Sequence, residues 1–414
     1  VVAPHTRARS RKDDPITSFP HRPLAVLGLL TIVAYGSWYY GFGVLLDDIA
    51  ADLGSGLGTI TIGFTIAQIL TGVLAMPAGR ALDRHGARRP LAIGAASGPL
   101  LLGAAASAGS GASFAISFGI GGGIIGASGF YHLTQTIAAR LAPGSEARAI
   151  SRLTIWGAFS SPLLVPLTEL ARATIGWRWT LRTGAVVVAL VLAVAAVTVD
   201  PQRRTCATSP STSIRAALTL GWGRAGARRL VASALTSSFG ASILMVLQVP
   251  AMVGNGLDRS TAATLAGARG ITQLLGRLPL SRVLSRHSAR STLIMAKLLI
   301  GLGAILLALT TSVATGLVFV VVAGIGIGAV SPLEAIYARE VLPAEDLGVL
   351  MGALSLIVGF AAGLGPLAGA MLADRFGSVD AALVASAAAS LAAAMVLAGG
   401  RRTPVDPVAA RQRQ

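Results

Sequence analysis

Read as an alternation of apolar and polar positions, the chain resolves into twelve apolar stretches. They cover residues 23–45, 58–78, 90–109, 112–139, 152–172, 179–199, 229–253, 260–283, 292–311, 314–339, 347–371 and 379–399. Each is close to the roughly 20 residues that a helix needs to cross a bilayer, and we number them spans 1 to 12. Strands are excluded for such stretches, because an open sheet edge leaves unpaired backbone groups in lipid. The pattern predicts an all-α integral membrane protein with twelve transmembrane helices. Polar segments separate and flank them. Residues 1–22 form a basic tail with Pro4, Pro15 and Pro20 that reads as disordered, and residues 400–414 form a second tail. The longest internal polar segment, 200–228, reads as a linker between six spans (23–199) and six more (229–399).

A repeat supports that division. The stretch MPAGRALDRHGARRPL (76–91) joins spans 2 and 3 and holds Gly79, Asp83, Arg84, Gly86, Arg88 and Arg89 in the pattern G-x3-D-R-x-G-x-R-R. GRALDRHGARRPL (79–91) aligns without a gap on SRVLSRHSARSTL (281–293), with seven of thirteen positions identical at an offset of 202. Ala-Pro at 142–143 and Ser-Pro at 161–162 find counterparts in Leu-Pro at 342–343 and Gly-Pro at 365–366. A repeat at half the chain length implies two six-helix halves of one ancestry.

Composition fits a lipid-solvated chain. Hydrophobic residues make up 53% and charged ones 12%, against about 25% charged in an average soluble domain. The formal net charge is +17, but the basic residues lie in short clusters between spans. That argues against a nucleic-acid surface. The single cysteine, Cys206, excludes an intramolecular disulfide and a cysteine-based metal cluster. No cofactor or metal is expected. The N-terminus has no cleavable-signal pattern, so span 1 reads as retained.

Basic residues also orient the chain. With the N-terminus cytoplasmic, the tails and even-numbered loops hold 26 of them and the opposite side holds five: Arg172, Arg178, Arg182, Arg259 and Arg375. Both termini are therefore expected in the cytoplasm, with the protein in the plasma membrane.

These features resemble the major facilitator superfamily. Twelve spans in two halves, the 79–89 motif, its copy after span 8 and Gly176-Trp177-Arg178 before span 6 carry the resemblance over the whole chain. Within the superfamily, YGSWYYGFGVLL (35–46), the Gly-rich span 4 and Gly276-Arg277 in span 8 are similar to the monocarboxylate-porter and oxalate/formate-exchanger branch. The resemblance implies a monomeric secondary transporter that works by alternating access. It implies that the 79–89 motif latches the two halves on the cytoplasmic side when the cavity opens outward. The bland alternative is a topology anchor. Gly79 and Gly86 suit a tight interhelical turn, and Asp83 suits a helix cap or a pair with Arg84 or Arg88. The second copy has Ser285 for the Asp and Ser288 for the Gly, so its latch should be weak.

Polar residues inside spans supply the candidate chemistry, since a charge in the membrane is costly unless hydrated or paired. Arg269, Gln273 and Arg277 fall four residues apart in span 8 and form one polar ridge. An arginine fork matches a carboxylate. The resemblance places the substrate-gripping arginine at Arg277; the alternative is a side chain that snorkels to the interface. The acidic position that the branch uses for protons is Gln273 here, which cannot titrate. The proton candidates are Glu334 in span 10 and His132 in span 4. Glu334 is otherwise a structural partner of Arg269 or Arg277, and His132 otherwise makes an interhelical hydrogen bond. Glu169 sits near the outer end of span 5, and Lys297 reads as a snorkelling residue. Span 1 gathers Tyr35, Trp38, Tyr39, Tyr40 and Phe42 within eight positions. Tyr35 and Tyr39 share a helical face at i,i+4 and would offer hydroxyls and flat walls to a small organic acid; an interfacial belt is the alternative.

Other signals are weak. GIGGGIIGASG (119–129) lacks the Lys-Ser/Thr end of a P-loop and suits small-residue helix packing. Gly157–Pro162 is a degenerate form of the Gly-Pro motif of drug/proton antiporters. No nucleophile–base set points to an enzyme. The expectation is a transporter of a small organic anion, a monocarboxylate by preference, coupled to protons. The alternatives are a proton-coupled exporter of drug-like or apolar compounds, and a non-transporting membrane sensor.

Overall fold

The structure, a computed structural model, describes residues 19–199, 223–342 and 347–399. The expected tails (1–18 of the first and all of 400–414), linker residues 200–222 and Pro343 lie outside the described residues. All regular structure among the described residues is helical. Among the described residues, nine helical stretches are long and apolar enough to cross a membrane by length and composition. One of them, Arg148–Thr198, holds both span 5 and span 6, which part at Gly176 (φ +74°). The other two spans are Arg88–Ala105, which opens on two arginines, and Arg259–Arg277, which carries three. Their charge lowers the hydropathy without stopping the helix. The twelve expected spans are thus all helical.

The helices start where the sequence can cap them. Ser110 and Ser312 form capping boxes with Ser113 and Thr315, and Asp258 and Ser288 accept from backbone N–H groups three residues on. These caps satisfy donors that a helix start leaves orphaned. Among the described residues, breaks occur inside four spans, and in span 8 the break falls at 278–279, between Arg259–Arg277 and Leu280–Leu284. Span 1 runs His21–Ala34, then a π turn Tyr35–Tyr40, then Phe42–Asp52. Span 4 is Gly111–Gly129 and Tyr131–Leu141, parted at the extended Phe130 (ψ 169°). Span 5 is parted at Phe159. Apolar side chains such as Leu100, Leu190, Val197 and Val384 stand exposed on the outside of the bundle, as lipid-facing positions should.

Within the first half, span 4 packs on spans 2 and 3; within the second, span 10 packs on spans 8 and 9 and span 7 on spans 11 and 12. The halves meet along two long seams, span 2 with span 11 and span 5 with span 8. The outer part of span 1 also lies on span 7. There Gly43 comes so close that a Cβ would stand 2.3 Å from the carbonyl oxygen of Val246, so only a glycine permits this seam to close.

The seams are uneven along the membrane normal. Towards the side opposite the arginine-rich loops, one shared core joins Val44 and Val165 of the first half to Leu244, Val249 and Met252 of the second. Towards the arginine-rich side, the core around Leu230, Leu293, Leu333 and Leu397 belongs to the second half alone. Polar contacts divide the same way. Thr65 donates to the Gly363 carbonyl (2.8 Å) and Ser161 to that of Gly267 (3.1 Å), both across the halves. On the arginine-rich side, Asp83–Arg140, Arg152–His21 and Lys297–Glu334 each stay within one half.

Candidate functional site

Beneath this closure, between the halves, lies a small cavity with about 40 Å³ of room. Spans 1, 4 and 5 line it with Tyr35, Tyr40, Tyr131 and Ser161; span 8 contributes Gln273 and Arg277. Arg277 is the one charged residue among the lining side chains. Its Nε donates to the Gly328 carbonyl at 3.1 Å, and among the described residues no carboxylate lies within ion-pair reach of it.

The tyrosines reach the cavity through the π turn of span 1. Gly41 N–H donates to the Gly36 carbonyl, an i→i+5 bond of 3.1 Å. In an α-helix, residues five apart point about 140° apart around the axis; the wider turn brings them towards one face. Tyr35 and Tyr40 therefore share the wall, whereas an α-helical reading pairs Tyr35 with Tyr39. Tyr39 lies off the cavity, with its hydroxyl 3.7 Å from the Met245 sulfur across the halves. Tyr35 stacks on Phe130 at 3.7 Å with an interplanar angle of 4°. The break at Phe130 thus both stacks span 4 on span 1 and turns Tyr131 to the cavity. Tyr131 has no counterpart among the expected site residues. The aromatic pair at the end of the Gly-rich run was the available signal.

Arg269 lies on the same ridge as Arg277, but two steps along it. Steps of about 40° separate the two by about 80° around span 8. Arg269 is fully buried, and its Nε donates to Gln248 Oε1 at 2.9 Å. Among the described residues neither terminal nitrogen has a partner. Buried polar groups are nearly always satisfied, so this guanidinium holds unused donors.

Glu334 faces neither arginine. Its Oε1 accepts from Lys297 Nζ at 2.9 Å, and Lys297 also donates to the Ser233 carbonyl at 3.3 Å. Lys297 is fully buried instead of reaching back to the interface. Its side chain joins spans 7, 9 and 10. His132 is exposed and its Nε2 lies 3.2 Å from the Ala127 carbonyl, a contact across the span-4 break and not between spans.

The 79–89 motif folds partly as expected. Gly86 takes a left-handed conformation (φ +79°) that closes the helix Leu57–His85, and Arg88 and Arg89 start the next helix. Gly79 lies inside the first helix, where a Cβ would meet open space, so it is not part of the turn. Asp83 pairs with Arg140 at the end of span 4 and not with Arg84 or Arg88. In the second copy Ser288 caps a helix where Gly86 makes a turn. Asp83→Asn should lower the transport rate while the protein still inserts and extracts normally, measured as uptake per unit of purified protein. An unchanged rate would leave the motif a topology anchor only.

Glu169 belongs to a charged cluster at the outer closure. Arg172 bonds Glu169 and Asp48 at 2.8 and 3.0 Å. Arg259, from the second half, reaches Asp47, Asp48 and Glu169 at 3.6–3.7 Å and donates to the Val44 carbonyl at 3.0 Å. Arg259 thus ties span 8 to spans 1 and 5.

Comparison with known proteins places this architecture. Residues 27–254 and 230–414 match the family profile described as Major Facilitator Superfamily. No curated protein matches the sequence significantly. Among solved structures, the chain is similar to the nucleoside transporter NupG, at 17% identity over 92% of this chain and 99% of that one, with a TM-score of 0.77. It is similar to a bacterial homolog of the human lysosomal transporter Spinster in an inward-facing, unoccupied conformation, at 16% identity over 94% and 100% with a TM-score of 0.69. A POT family transporter in complex with 5-aminolevulinic acid is also similar, at 15% identity over 91% and 95% with a TM-score of 0.68.

Proposed function

The chain belongs to the major facilitator superfamily, and from that premise we propose that it carries a small organic anion, a monocarboxylate by preference, coupled to protons. Membership makes it a membrane transporter and not an enzyme; the substrate and the coupling are our reading.

One observation carries the anion. Among the described residues the cavity is lined by a single charge, the Arg277 guanidinium, with no carboxylate against it. An arginine without a fixed counter-ion in a low-dielectric site favours a ligand that brings the counter-ion. Gln273 and the hydroxyls of Tyr35, Tyr40 and Tyr131 would complete the recognition of a carboxylate and hold its short apolar part between rings. Arg269, buried with two unused donors, would add a second positive group when the outer seam opens. A transporter of uncharged or cationic drug-like compounds would have these arginines paired to fixed carboxylates, and among the described residues neither is. The carboxylic acid bound in the similar POT structure suits the same reading.

For the coupling proton, Glu334 with its Lys297 partner is the best-placed carboxyl, and His132 is the second candidate. We place the arginine-rich loops and both termini on the cytoplasmic side of the plasma membrane, following the positive-inside rule. The closed seam then faces outward. Uptake by proteoliposomes under an imposed proton gradient tests the proposal. A panel of short mono- and dicarboxylates should include at least one acid that is concentrated. No uptake of any acid by folded protein would remove the anion reading.

A further inference from the structure

The sequence Asp374-Arg375-Phe376-Gly377 at the end of span 11 repeats the D-R-x-G of Asp83-Arg84-His85-Gly86 at the end of span 2. The local structures agree. Each stretch closes a long helix, and each glycine takes a left-handed φ, +66° at Gly377 and +79° at Gly86. Each glycine N–H donates to the carbonyl four residues back, that of Ala373 or Leu82. The two copies sit in opposite halves and at opposite ends of the membrane.

The aspartates are engaged differently. Asp83 is held within its own half by Arg140. Asp374 crosses to the other half and seats on the start of span 2, where Oδ1 accepts from Leu57 N–H at 3.0 Å and Oδ2 from Gly58 N–H at 2.8 Å. That helix start has no side-chain cap of its own. Its N–H groups are orphaned unless something supplies acceptors, and a carboxylate makes the stronger, charge-assisted bonds there. The seat is shaped for it. A Cβ on Gly56 would stand 2.9 Å from Oδ2, and one on Gly58 would stand 3.2 Å from the same oxygen.

We propose that Asp374 is the outer latch of the transport cycle, a counterpart of the loop motif that fastens span 11 to span 2 whenever the outer face is shut. Opening that face separates the two helices, so both bonds must break before the cavity reaches the other side. Asp374 touches no cavity residue; it is a positioning residue that sets the balance between the two orientations. The inference rests on membership of the superfamily and not on the anion reading, and its test needs no substrate.

The test measures the outer face directly. Spin labels go on cysteines at Ala51 and Val313, at the outer ends of the two halves, in a full-length Cys206→Ser background. The parent should show mainly the short distance. Asp374→Asn should move population to a longer one, and Asp374→Glu should restore part of the short one. Gly58→Ala, which leaves the aspartate in place and crowds its seat, should shift population in the same direction. A helix cap with only a structural role would lower the melting temperature and leave the distances alone. Unchanged distances in Asp374→Asn would overturn the proposal, and if that variant does not fold, unchanged distances in Gly58→Ala would do so.

Discussion

Arg277→Gln is expected to abolish measurable acid uptake at substrate concentrations that saturate the parent. Glutamine keeps a donor and much of the length but loses the charge and the fork. Removing one partner of a desolvated charge pair costs about 2–5 kcal/mol, or roughly 30- to 4,000-fold in affinity at about 1.4 kcal/mol per decade. Arg277→Lys restores the charge without the planar fork, so it should recover part of the loss and leave the apparent affinity well short of the parent. Lining residues that carry no charge should matter less, Gln273→Ala by about 1 kcal/mol, the worth of one neutral hydrogen bond. The measurement is the apparent KM in proteoliposomes, with the detergent melting temperature as the folding control. A parent-like KM in folded Arg277→Gln would move the arginine out of the binding site and leave it a strut against the Gly328 carbonyl.

The second large effect concerns the buried pair Lys297–Glu334. Lys297 has no exposed surface, while the Glu334 side chain keeps 14%. Removal of one partner of a buried pair costs about 3–5 kcal/mol, whereas replacing both is often neutral or stabilising. The two single substitutions should therefore be unequal. Glu334→Gln leaves an ammonium with no route to water and should be the more damaging. Lys297→Met leaves a carboxyl that keeps some access and should cost less. The double variant should melt near the parent. It also separates fold from coupling: with Glu334 as the proton carrier, it should exchange labelled substrate at equilibrium and fail to concentrate it under a proton gradient. Gradient-driven accumulation by the double variant would pass the coupling role to another group, with His132 the next candidate. Equal stability losses in the two single variants would contradict the asymmetric burial.

The architecture was legible because its signal is coarse. Twenty apolar residues between basic loops need no tertiary information to be read as a span, and the half-chain repeat supplied the grouping. Arg88–Ala105 and Arg259–Arg277 show the limit, since each is helical despite the charge that weakens its apolar signal. Within the cavity, Gln273 and Arg277 were readable from their i,i+4 spacing. Arg269 followed the same spacing and yet turned to Gln248, because the ridge drifts around the helix. Tyr39 and Tyr40 exchanged places for a subtler reason: one wide turn changes the phase of everything beyond it, and no residue in 35–40 announces it. Partners far apart in sequence were out of reach, as with Lys297 and Glu334 or Asp83 and Arg140. The D-R-x-G at 374–377 is plain in the sequence, but it lies off the offset of 202 that relates the two halves.

The unpaired arginine has an electrical consequence. An empty cavity with Arg277 and no fixed carboxylate moves a positive charge through part of the membrane field when it changes sides; with a monoanion aboard, that charge is cancelled. A proton carried with the anion restores it, so voltage would drive the loaded carrier inward and hold back the return of the empty one. The full field is worth about 2.3 kcal/mol per elementary charge at 100 mV. An interior-negative potential would draw the empty site towards the arginine-rich face, the orientation in which the outer seam is closed. Loading from outside would then become slower as the membrane is polarised, and release inside would be followed by the voltage-limited step of the cycle.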